Sequence, residues 1–135
     1  MAARKIPVAA TDKSQYANFW TKAVDFREAM RQSMASENWN AAALNAVHAA
    51  ISANDALLVF LHGVRSSSPK HDDAVRLLKS LVKHTDASTN ASRLRRLLAA
   101  KNMVEYEETM CTAAKARGLA KHVEQFMDWI ESLLP

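Results

Sequence analysis

Phe19, Ala23, Phe26, Met30 and Met34 recur at steps of four and three, while Lys22, Asp25, Glu28 and Arg31 fill the positions between them. That alternation is the signature of one apolar helix face, and it predicts a helix from about Ser14 to Ser36. A second helix follows Glu37-Asn38, with Asn38 as its N-cap, and runs to Leu61 or His62 before Gly63, which suits the left-handed end of a helix. Its first half is crowded with small residues, Ala41 to Ala43, Ala46, Ala49, Ala50 and Ala53, and its second half, Leu57 to Leu61, is apolar nearly all round. A helix of that kind belongs at the centre of a bundle, where neighbours approach closely.

Gly63 to Ser68 reads as a loop. Ser68-Pro69 then reads as an N-cap and first helical residue, with Asp72 and Asp73 placed to favour the positive end of the helix dipole. Val75, Leu78, Leu81 and Val82 point this third helix inward, and it should end near Lys83-His84. The polar stretch Thr85 to Asn90 leads into a shorter helix carrying Leu94, Leu97 and Leu98, with Lys101-Asn102 at or just past its end. A last helix opens near Thr112, and Ala116, Ala120, Val123, Met127, Ile130 and Leu134 form the most regular heptad-like seam in the chain.

These five segments predict an all-α fold, an antiparallel bundle of about five helices. With 135 residues the chain suits one domain, which we place at 13–135 after a loose tail over 1–12. Only 2 Gly and 3 Pro are present, too few for a fold built on tight turns. No uninterrupted apolar run reaches the roughly 20 residues of a membrane span, and Met1 to Val8 do not read as a secretory signal, so no membrane partner is expected. Cys111 is the only cysteine; with no intrachain disulfide available, a cytoplasmic location is expected.

Charge changes the picture. Residues 65–101 carry nine Lys or Arg against three acids, whereas residues 102–135 carry three bases against six acids. A chain polarised in this way can attract phosphates, although cations that merely solvate helix faces would give the same count. No glycine-rich phosphate loop and no nucleophile elbow is present. The five histidines do not fall in a metal-ligand spacing, and no metal or cofactor is expected. Glu107-Glu108 are helix neighbours that point apart, so they make no acid/base pair.

The leucine-rich stretch Arg93-Leu94-Arg95-Arg96-Leu97-Leu98, followed by Lys101-Asn102-x-x-Glu105-Tyr106, resembles the signature region of HEPN domains. The order of helices over about residues 15–134 agrees with that resemblance. It implies a helical bundle, usually dimeric, and a metal-independent ribonuclease or a partner of a minimal nucleotidyltransferase, often in toxin–antitoxin or defence systems. Nuclease members carry Arg, four to six residues, then His; here Lys101 stands for the Arg and Tyr106 for the His. Lys keeps the charge but loses the two-pronged grip on phosphate. Tyr, with a reference pKa of about 10, is a poor proton acceptor at neutral pH.

The sequence therefore points to a binding or regulatory module with little or no cleavage, using Arg93, Arg95, Arg96, Lys101, Asn102 and Tyr106 toward RNA or a nucleotide. The expected partners are a second copy, because the apolar surplus of helices two and five asks for further burial, and RNA, a nucleotide or a nucleotidyltransferase-like protein. The rival readings are an atypical ribonuclease using Lys101 and Tyr106, and a purely structural interaction protein.

Overall fold

The computed structural model describes residues 5–135. A short strand β1 (Val8–Ala10) and one 3-10 turn (Lys13–Gln15) precede helix α1 (Tyr16–Ala35). Helix α2 (Trp39–His62), strand β2 (Val64–Ser66), and helices α3 (His71–Leu81), α4 (Ala87–Tyr106) and α5 (Ala113–Leu133) follow. The five helices pack on one another, so the all-α expectation holds.

Helix α2 is the axis of the bundle, flanked by α1, α3, α4 and α5. Ala43, Ala46, Ala49, Ala50 and Ala53 are fully buried along it. Each methyl takes little room, which is why so many helices can close on one. By length and composition α2 is apolar enough to cross a membrane, yet its apolar residues are covered by the rest of the chain, as expected of a core helix. On α5, Val123, Phe126, Met127 and Ile130 are fully buried as well. The apolar surplus of helices two and five is therefore absorbed within one chain, and it supplies no argument for a dimer.

Gly63 ends α2 with φ at +65°, and its amide closes on the Val59 carbonyl at 2.9 Å. A Cβ there would stand 3.2 Å from the Thr11 carbonyl oxygen. Gly63→Ala is therefore expected to cost about 1–2 kcal/mol, read as a lower midpoint in urea unfolding at unchanged slope. Thr112 caps α5 as expected, its hydroxyl accepting from the Lys115 amide at 3.1 Å.

Four expectations are corrected. Part of the supposed tail is ordered: Val8, Ala9 and Ala10 pair antiparallel with Ser66, Arg65 and Val64, and Thr11 N–H donates to the Gly63 carbonyl at 2.8 Å. Residues 1–4 of that tail lie outside the described residues. The same pairing turns part of the loop after Gly63 into β2, because two extended segments satisfy each other's backbone groups.

The third helix begins at His71, two residues later than Ser68-Pro69 predicts, and ends at Leu81. The Ser68 hydroxyl accepts from the Lys70 amide and donates to Asp73 at 2.6 Å, which bends the chain before the helix begins. The fourth helix is not short. It starts at Ala87 inside the polar stretch, because the Asn90 side chain is buried, donates to the Asp86 carbonyl and accepts from Arg93. Lys101 and Asn102 consequently lie within α4 and not beyond its end.

Candidate functional site

Helix α4 carries all six candidate residues, and its periodicity sorts them onto separate faces. Leu94, Leu98, Lys101 and Glu105 recur at steps of four and three on one face, and Ser92, Arg96 and Ala99 do so on another. The two rows are offset by two residues, roughly 200° of helix rotation, so they open on different surfaces.

The first surface is a cavity of about 270 Å³ between α2, α3 and α4, closed at one end by β2. Leu94 and Leu98 form its apolar wall with Ile51 and Ala74. Asn54 and Asp55 enter from α2, Arg65 from β2, Lys70 and His71 from the start of α3, and Lys101 from α4. Asp55 has no hydrogen bond or ion pair among the described residues, and burial pushes its carboxyl up to about 6 against the opposing pull of Arg65 and Lys22. Asn54 is 3% exposed, and its Oδ1 is buried without a donor.

The second surface is a groove of about 660 Å³ between α4 and α5. Arg93 and Arg96 line it from α4, and Lys121 and His122 from α5, with Ser88, Thr89, Ser92 and Gln125 between them. Gly118 opens its floor, since a Cβ there would meet nothing within 4 Å. A smaller hollow continues past Arg96 to Lys115. No carboxylate lines either part among the described residues.

Arg96 approaches His122 Nε2 at 3.5 Å. A guanidinium can only donate, so this contact places the imidazole proton on Nδ1, which is buried without an acceptor. Burial, and then the charges of Arg96, Arg93, Lys121 and Lys115, lower the His122 pKa and favour the neutral ring.

Lys101, Asn102 and Tyr106 do not converge on one point. Lys101 Nζ donates to Glu105 at 2.9 Å, and Glu105 also lies 3.4 Å from His48 Nε2 on α2. The Lys101 hydrogen bond is the main cause that holds the Glu105 carboxyl below its usual range, with Tyr106 and His48 adding to it. Asn102 donates to Glu107 at 2.9 Å, which fixes it toward solvent. Tyr106 is 75% exposed, with Lys101 Nζ 5.9 Å from its ring centre. Arg95 faces away from the groove and meets Asp72 of α3 at 3.8 Å, an exposed and weak pair.

A model of the HEPN domain fits residues 16–133. The chain belongs to the HEPN family. No curated protein matches it. In this HEPN chain Lys101 is paired with its own Glu105.

Sequence reasoning missed four residues that the fold brings into play. His48 and Asp55 are isolated titratable positions within the mostly apolar α2, and Lys121 and His122 sit in a chain segment with an acidic balance. Only the packing of α5 against α4 shows that these last two join Arg93 and Arg96. Among the described residues no group of three or more His, Cys, Asp and Glu gathers as a metal site. Cys111 is buried, and burial raises its thiol pKa, which leaves it a packing residue.

Proposed function

We propose that this HEPN chain is a non-cleaving RNA-binding module whose α4–α5 groove tracks the phosphate backbone of a single strand. The observation that carries the reading is the groove itself. Arg93, Arg96, Lys121 and His122 converge from two helices with hydroxyl and amide side chains between them and no acid among the described lining residues. Uncompensated cations held in a concave surface attract a polyanion more strongly than the same cations scattered over a sphere. The hydroxyls of Ser88, Thr89 and Ser92 supply neutral donors for phosphate oxygens and carry no sequence preference.

Cleavage is a poor fit to the motif stretch. A metal-independent ribonuclease needs a group to take the proton of a ribose hydroxyl and a cation to steady the phosphate. Tyr106 stands in solvent, where nothing shields a reacting ribose hydroxyl from water, and Lys101 is engaged by Glu105. Digestion of a labelled RNA in the presence of a chelator at pH 7 is expected to give no cleavage above background, for wild type and Tyr106→Phe alike. Wild-type cleavage that disappears in Tyr106→Phe would replace this reading with an atypical ribonuclease.

One observation favours a second reading. His48 beside Glu105 forms a histidine–carboxylate pair 3.4 Å apart next to Lys101, a pairing that suits proton transfer better than Tyr106 does. Cleavage lost in His48→Ala but retained in Tyr106→Phe would support that reading.

Homodimerisation is part of the proposal, and its support is local. Tyr106 and Met110, 75% and 70% exposed, stand close together in the chain at the end of α4 and the turn after it. A two-fold axis there would cover both, and it would bring together two copies of the Lys101–Tyr106 stretch. Light scattering at tens of micromolar is expected to give twice the chain mass, falling to the monomer mass in Tyr106→Glu/Met110→Glu. A nucleotidyltransferase-type protein, in a defence setting, is the partner the family suggests for the same end. A cytoplasmic site, where Cys111 stays reduced, belongs to the same proposal.

A further inference from the structure

The cavity between α2, α3 and α4 sets two demands that one ligand must meet together. Its interior offers acceptors. The Asp55 carboxylate accepts no hydrogen bond among the described residues, though Arg65 and Lys22 attract it from a distance, and the neighbouring Asn54 amide has a buried oxygen that receives no donor. A desolvated carboxylate without donors is costly, and a ligand edge carrying two adjacent N–H groups relieves that cost through its two oxygens.

The remaining walls offer positive charge. Arg65, Lys70 and Lys101 come from three different elements; Lys101 is paired with Glu105 at 2.9 Å, and Arg65 interacts with Asp55 only at longer range. These demands exclude simple candidates. Inorganic phosphate satisfies the cations but is repelled by Asp55. A guanidinium satisfies Asp55 but is repelled by the three cations. Adenine presents a single exocyclic donor group. Guanine presents N1–H beside its 2-amino group, and a nucleotide adds the phosphate.

We propose that this cavity binds a guanine nucleotide, with the base against Leu94 and Leu98, its N1–H and 2-amino donors on Asp55, and the phosphate between Arg65 and Lys70. The volume of about 270 Å³ suits one nucleotide and no more. The site lies on a different face of α4 from the groove, so it goes beyond RNA-backbone binding and does not depend on it. The guanine can arrive as a free nucleotide or as one base of an RNA strand, and the chemistry of the pocket is the same for both.

The test is isothermal titration of the full chain with GMP, IMP and AMP, and with uridine octamers that contain or lack one guanosine. GMP is expected to bind. IMP, which lacks the 2-amino group, and AMP are expected to bind about tenfold more weakly. Asp55→Asn is expected to weaken GMP by about tenfold or more while remaining folded by circular dichroism.

A preference for the guanosine-containing octamer that is lost in Asp55→Asn assigns the guanine to RNA, whereas GMP binding without that preference assigns it to the free nucleotide. Arg96→Gln/Lys121→Gln should leave GMP binding unchanged while weakening both octamers, which separates this site from the groove. No GMP binding at millimolar concentration, equal affinity for GMP and AMP, or equal GMP affinity in wild type and Asp55→Asn overturns the proposal, whatever the octamers do.

Discussion

Replacing Arg93, Arg96 and Lys121 together by Gln is expected to lower the affinity for single-stranded RNA by at least about tenfold at low salt. It should also flatten the dependence of log affinity on log salt by roughly 2, close to 0.7 for each lost phosphate contact. The loss should be uniform across sequences, because contacts to phosphate carry no base information. Gln is chosen over Ala because Arg93 donates to the buried Asn90 at 2.9 Å, and Gln keeps a donor within that region.

Arg95→Gln is the matched control. Its charge is as close in sequence as the others, but it faces Asp72 on another side of α4, so RNA affinity should stay within about twofold of wild type. Filter binding or fluorescence anisotropy at several salt concentrations reads both outcomes. Equal losses in Arg95→Gln and in the triple variant would show a diffuse field of charge and no groove.

Asp55→Asn is expected to raise stability at neutral pH. The carboxyl has a pKa of about 6 in the folded chain, against 3.8 as the ordinary value. The folded state therefore binds more protons than the unfolded state between about pH 4 and pH 6, and stability falls as pH rises through that window. Above it the buried charge costs about 2–3 kcal/mol, and Asn removes that cost. The melting temperature at pH 7.5 should rise by roughly 5–10 °C, and the gain should shrink toward zero near pH 4. Thermal scans of both proteins across pH 4–8 measure it. A residue that destabilises its own fold at neutral pH and lines a cavity is what a binding role predicts, since sites built for ligands trade away stability.

Much of the architecture was legible because helix periodicity needs only local information. The Ala23-to-Met34 stripe, Gly63 as the left-handed end of α2 and Thr112 as the cap of α5 each follow from residues a few positions apart, whereas Phe19 of the same stripe lies outside the core, under Arg65 and Lys22. The places that misled are those where a side chain's partner is remote or its local use is ambiguous. Ser68-Pro69 has the composition of a helix start, but the Ser68 hydroxyl is taken by Asp73 and Lys70. Asn90 has the composition of a loop residue, but buried in α4 it is satisfied within the helix. Val8–Ala10 has no strand signal of its own and becomes one only where β2 passes beside it.

The same boundary runs through the candidate sites. The run of Arg93, Arg95 and Arg96, and the stretch Lys101-Asn102-x-x-Glu105-Tyr106, are properties of the chain and were available from it alone. Which arginines act together was not. Helix rotation turns Arg95 away from Arg93 and Arg96, and the antiparallel approach of α5 brings Lys121 and His122 to them from a segment whose overall charge is negative.

Asp55 shows the division most plainly. In the sequence it is one acid in the second half of an apolar helix, ten residues before Arg65, the next arginine or lysine. In the fold it shares a cavity with Arg65, Lys70 and Lys101, drawn from β2, the start of α3 and α4. Periodicity determines which face of a helix is apolar, because that depends on neighbours three and four residues away. Which charged groups share a space depends on how whole helices pack, and only the tertiary structure decided it.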